Sequence, residues 1–147
     1  EIFTQIYILC AGLISGVIIF QSSIVASSIF TVLPEEHAGL LLRNLFPKFF
    51  LFLIGLSFTS VICFFLANLN FLPFGLIGTT GLLSMSACYL IIPKTNQARD
   101  EKNNSLFNKL HALSVSLTLL VLFLNLSVIF KYFRNDRLSQ DAKNNSL

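Results

Sequence analysis

The chain has 147 residues, of which 54% are hydrophobic and 12% charged, with a net charge of +3 and a mean hydropathy of +0.77. Soluble domains carry about a quarter charged residues, so this composition excludes an ordinary water-soluble globule and makes lipid the expected solvent. The ten Lys and Arg are scattered among seven Asp and Glu in short connectors, not massed on one basic face, which argues against a nucleic-acid partner.

The first apolar run, Ile6 to Leu33, contains no charged residue and exceeds the roughly 20 residues that cross a bilayer core. It is too long for a signal-peptide apolar region and lacks a basic segment ahead of it, so it reads as a mature helix. Pro34 ends it. Glu35 to Lys48 then mixes Glu35, Glu36, His37, Arg43 and Lys48 with Leu40, Leu41, Leu42 and Leu45, which predicts a short amphipathic helix lying at the interface. A second span follows from Phe49 to about Leu69. The uncharged turn with Asn68, Asn70 and Pro73 makes a tight hairpin with a third span, which Pro93 and Lys94 close. After a polar stretch through Lys109, a fourth span starts at about Leu113, and Lys131, Tyr132 and Arg134 mark its interface.

The expected fold is therefore all-α and integral to a membrane. It has four transmembrane helices in one antiparallel bundle over residues 1–134, with spans at about 6–33, 49–69, 72–92 and 113–132, plus a polar tail over 135–147 expected to be frayed. With an even number of spans, the first and third loops share one side and hold Arg43, Lys48, Lys94, Arg99, Lys102 and Lys109. The positive-inside rule favours that side as the cytoplasmic one. Short loops fit a bacterial inner or thylakoid-type membrane.

No Asp, Glu, Lys, Arg or His falls inside a span, which disfavours pumps and proton-coupled transporters, since these place ionisable groups at membrane depth. The intramembrane polar residues read first as helix-packing groups, with Gly12 and Gly16 supplying a small-xxx-small spacing. Gln21, Thr79, Thr118 and Asn125 form a candidate polar seam, because an amide stranded in lipid is costly and belongs in the bundle interior. Cys10, Cys63 and Cys88 lack paired spacing and read as small packing residues, and no metal site is expected. His111 and His37 fall on the same membrane side and are the candidate cofactor ligands, for a haem, although no further ligand stands at fixed spacing beside either. Sixteen Phe, about half of them between Phe46 and Phe74, suit contact with helices, lipid or a ring pigment.

Leu33-Pro34, Gly39-Leu40, Leu45-Phe46-Pro47 with Phe50, Pro93-Lys94-Thr95, and Phe107, His111, Leu113 and Ser114 resemble the uncharacterised transmembrane protein two-hundred-and-five type family. The resemblance covers most of the chain and implies a four-helix membrane domain of unknown function. This chain departs from the family pattern at Thr118, where the resemblance would place Asn, and at the residues adjacent to Tyr89 and at Ile92, which are apolar where the resemblance would place polar or charged groups. Three functions follow as expectations. The first is a non-enzymatic accessory or structural subunit of a larger membrane assembly, in contact with lipid and other membrane subunits. The alternatives are a haem- or other cofactor-binding protein, and a small-solute or lipid-handling protein that uses the polar seam.

Overall fold

The computed structural model describes residues 1–67 and 72–144, and the described residues contain helices and no strand. Helix α1 spans Ile2–Phe20, a π-helical turn spans Gln21–Val25, and α2 spans Ala26–Val32. Then follow α3 at Glu35–Leu66, α4 at Leu72–Asp100 and α5 at Asn104–Asn144. With α1, the π-turn and α2 counted as one, these make four rods that are long and apolar enough to cross a membrane. Lipid leaves no solvent partner for backbone N–H and C=O groups, so the segments close their hydrogen bonds internally as helices.

The four rods form a closed ring: α1 packs on α3, α3 on α4, α4 on α5, and α5 back on α1. Each rod is antiparallel to its neighbours, since only a few residues separate the end of one rod from the start of the next. The central cluster draws Ile14 and Ile18 from α1, Phe50 and Leu53 from α3, Met85 and Cys88 from α4, and Val121 from α5. One end is closed by Tyr7, Ala11, Cys63 and Val128. There Tyr7 reaches across the ring diagonal and donates its hydroxyl to the Phe74 carbonyl at 2.7 Å, with its ring edge-on to Phe74.

Small residues line much of the interior, including Cys10, Ala11, Ser15, Ser57, Ser60, Cys63, Ser84 and Cys88, while Leu9, Phe20, Phe58, Phe65, Leu83, Leu90, Phe123 and Phe130 point outward. This is the distribution lipid selects. A bilayer rewards large apolar side chains on the outside, and close backbone approach replaces the hydrophobic drive between helices.

Helices α3 and α4 approach each other closely. A Cβ at Gly75 would sit 2.7 Å from the Phe64 ring, one at Gly78 3.2 Å from Val61 Cγ2, and one at Gly81 3.0 Å from Ser57 Oγ. Gly12 and Gly16, expected to serve this purpose, face outward, and a Cβ at either would meet nothing within 4 Å. Helix α1 instead turns Ala11, Ile14, Ser15 and Ile18 inward, and Gly12 and Gly16 lie on the opposite arc.

Three element boundaries also differ from expectation. The amphipathic segment is not a separate interfacial helix, because Glu35 to Lys48 forms the first turns of the 32-residue α3, which continues through Pro47. The third helix does not end at Pro93, since α4 continues through it to Asp100. A proline costs one intrahelical bond, and neighbouring helices and hydroxyls absorb that cost in membrane bundles. At about 1.5 Å per residue, α3 is about 48 Å long, so its charged turns stand beyond the hydrocarbon. The polar tail from Asn135 continues α5 to Asn144. The turn residues Asn68 and Asn70 lie outside the described residues.

The α4–α5 connection is a three-residue turn. Asn103 N–H bonds the Ala98 carbonyl at 2.8 Å and Lys102 N–H bonds the Arg99 carbonyl at 3.1 Å, with Lys102 at φ 56°. This is a Schellman ending with lysine at the left-handed position usually held by glycine. Asn103 Oδ1 then accepts from Leu106 N–H at 3.1 Å and caps α5.

Candidate functional site

The first rod changes its winding at Gln21. Ala26 N–H bonds the Gln21 carbonyl, five residues back, so one extra residue is accommodated and the segment that follows is re-aimed. Beyond that turn, α2 packs on α3, through Ile29 against Ala38 and Leu42, and no longer approaches α5. The ring is thus closed along α1 and open along α2, where a cavity of about 530 Å³ lies between the helices. Ligand pockets typically measure roughly 300–1,000 Å³.

The cavity is lined by residues of all four rods. Arg43 from α3, Asn96 and Arg99 from α4, and Phe107 and His111 from α5 stand at its charged end. Phe30, Leu42, Phe46, Phe50, Ile92, Val115 and Leu119 make the rest of its lining apolar and aromatic. Gln21, Ser114 and Thr118 add polar groups along the wall. From Gln21 to Val32 the rod rises by about 16 Å at 1.5 Å per residue, which sets the depth of the cavity.

The charged end is organised by pairs that join distant parts of the chain. Arg43 donates both terminal nitrogens to the Asp100 carboxylate, Nη1 to Oδ2 at 3.2 Å and Nη2 to Oδ1. Arg99 donates Nη2 to Glu35 Oε1 at 3.0 Å. The carboxylates are on the water side: their side chains are 59% and 87% exposed, against 34% for each arginine. Arg99 also lies over the Phe107 ring, 5.5 Å from its centroid, and Phe107 stacks on His111 with centroids 5.8 Å apart and planes 5° from parallel. A carboxylate, a guanidinium, a phenyl ring and an imidazole therefore follow one another along the rim.

Of the residues expected from sequence to form a site, Gln21, Thr118 and His111 line this cavity, and His37, Thr79 and Asn125 do not. Gln21 is buried, and its Nε2 has no hydrogen-bond partner. Thr118 returns its hydroxyl to the Ser114 carbonyl at 2.8 Å. Thr79 bonds Gly75 and Leu76 carbonyls within its own helix, and buried Asn125 donates Nδ2 to the Val121 carbonyl at 2.8 Å. Gln21 and Thr118 thus share one cavity, while Thr79 and Asn125 are satisfied within their own helices. His37 is exposed in the first turn of α3. Among the described residues, no three His, Cys, Asp or Glu side chains gather as a metal site.

The sequence does not single out Arg43, Arg99 and Phe107 as site residues. The partners of the two arginines lie 57 and 64 residues away along the chain, and the charged segments read as solvated loops. The one signal in the sequence is the excess of basic residues in those two connectors.

Chemically, the arrangement is a binding cavity: cationic donors at the rim, an apolar aromatic interior, and an unmatched amide at depth. No curated protein and no solved structure matches the chain. The model of the family described as Domain of unknown function (DUF4149) matches residues 9–104, which runs from α1 to the first residue of α5 and is more than half of the chain, so the protein belongs to that family.

Proposed function

We propose that this membrane protein is non-enzymatic and handles a lipid or other amphiphilic small molecule, which it holds in the cavity between α2 and α5. The observation that carries this reading is the re-aimed first rod. It leaves the bundle open on one side above the π-turn, with an apolar chamber under a polar rim. Amphiphiles can enter such a cavity from the bilayer without crossing water. Gln21 supports the reading, because a buried amide with an unpaired Nε2 is costly unless a ligand or water matches it.

The residues behind the resemblance to the transmembrane protein two-hundred-and-five type support the same place. Of these residues Gly39, Phe46, Phe50, Thr95, Phe107, His111 and Ser114 line the cavity.

The test is purification in mild detergent, with native mass, extracted small molecules and visible absorbance recorded on one peak. The expected result is a colourless protein with one amphiphile per chain, reduced in Leu119→Trp, whose indole would obstruct the chamber. Absence of any stoichiometric amphiphile, with no effect of that substitution, would sink the reading. A haem band would assign the cavity to a cofactor held by His111.

A second reading, an accessory subunit of a membrane assembly, is favoured by Gly12 and Gly16. They form a small-residue groove on the outer face of α1, the surface on which another helix packs most closely. Co-migration with a larger complex that Gly16→Leu abolishes supports it, and a lone particle of unchanged mass counts against it.

A further inference from the structure

We infer that the ligand of this cavity carries a phosphate or carboxylate head, which Arg99 binds through the donors it does not give to Glu35 and Arg43 binds in exchange for Asp100. The inference rests on the amphiphile reading above and adds the chemistry of the head. Three observations carry it.

First, the charge lining the cavity is of one sign. Among the described residues, Arg43 and Arg99 line it and no carboxylate does. Their partners Asp100 and Glu35 stand on the water side, mostly exposed. Exposed ion pairs contribute little to stability, whereas an anion brought against the same guanidinium groups from an apolar chamber meets a lower dielectric and stronger attraction.

Second, the donors are positioned before any anion arrives. Arg99 commits only Nη2 to Glu35, and its guanidinium is braced over Phe107, which in turn stacks on His111. A guanidinium fork presents five N–H donors in one plane, so Arg99 can accept an oxyanion without first losing Glu35. Arg43, bidentate to Asp100, has to exchange one partner for another.

Third, the buried Gln21, with its unpartnered Nε2, lines the same cavity from the π-turn. The ligand therefore spans the apolar chamber, which a small free anion bound at the rim would leave empty.

The experiment uses the full chain in nanodiscs of phosphatidylcholine, with binding read by native mass spectrometry. The probes are dodecyl phosphate, dodecanoate, dodecanol and inorganic phosphate. Dodecyl phosphate and dodecanoate are expected to bind one per chain and about tenfold or more tighter than dodecanol, the worth of one charged hydrogen-bonded contact. Arg99→Gln should lower the affinity for both anions by about tenfold and leave dodecanol unchanged. Asp100→Asn frees Arg43 from its competitor and should raise anion affinity, a gain that a purely structural ion pair would not produce. This second variant keeps the test decisive if Arg99→Gln does not fold.

Equal affinity for dodecanol and dodecyl phosphate would overturn the anionic head and leave the amphiphile reading standing. No binding of any alkyl probe would overturn both. Displacement of dodecyl phosphate by an equal concentration of inorganic phosphate would assign the rim to a free anion and overturn the inference.

Discussion

At the end of the bundle where Tyr7 meets Phe74, helices α3 and α4 touch through three glycines, and a hydroxyl crosses the ring to a backbone carbonyl. At the other end, where Arg43 meets Asp100, the helices are tied by exposed ion pairs, and the first rod stands away from α5. The closed half is held by close approach and fully enclosed side chains. The open half is held at its rim and left unfilled beneath. The difference teaches that in lipid a bundle can be locked along part of its length and still leave room for a ligand, because packing and not water exclusion sets which helices touch.

The comparison predicts that equal truncations have unequal costs. Met85 is fully buried in the central cluster, so Met85→Ala should destabilise by about 2–5 kcal/mol. Leu119→Ala, on the cavity wall with its side chain partly exposed, should stay within about 0.5 kcal/mol of the parent. Thermal unfolding in detergent measures both, and equal losses would break the distinction between the halves.

Overpacking sharpens it from the other side. Gly78→Leu would thrust a side chain into Val61, whose backbone nitrogen lies only 3.5 Å from the added Cβ, and should cost about 1–3 kcal/mol or prevent assembly. Gly12→Leu, on the outer face, should leave the isolated protein unchanged. If instead Gly12→Leu disrupts the monomer and Gly78→Leu does not, α1 packs by a face other than the one described.

Within the open half, Gln21→Leu removes a buried amide whose Nε2 is unpaired. It should raise the stability of the ligand-free protein by up to about 1 kcal/mol, and ligand occupancy should fall. A loss of stability in the ligand-free protein would mean that Gln21 is a structural group.

The smallest effect is at the turn that joins α4 to α5. Lys102 holds a φ of 56°, so Lys102→Gly relieves the steric cost of a side chain there and should stabilise by about 0.5 kcal/mol. Chemical denaturation compares the two chains directly.

Much of this architecture is legible in the sequence. Runs without charge, such as Ile6 to Leu33, force helices of membrane length, since neither a charge nor an unpaired backbone can rest in hydrocarbon. The helix ends are less legible. Pro93 reads as a stop and Pro47 falls where a separate interfacial segment is expected, yet both lie inside helices, because a neighbouring rod on each side supports the turn that a proline weakens. Gln21 stands out in the sequence because an amide in lipid is costly, and the structure places it at the cavity. Thr79 and Asn125 stand out on the same grounds and are satisfied within their own helices. The same polar residue can serve either purpose, and its own composition does not say which.

Sequence alone determined that the chain belongs in a membrane, that it crosses four times, and that its charges collect at the ends. Those are properties of single segments and the solvent that receives them. Tertiary structure decided which face of each helix looks inward, that Gly75, Gly78 and Gly81 and not Gly12 and Gly16 form the close seam, and that Arg43 and Arg99 converge on a cavity. In a bilayer every face of an apolar helix is acceptable to the solvent, so hydrophobic periodicity carries no facing signal. Only the fit of one helix against the next selects among the faces.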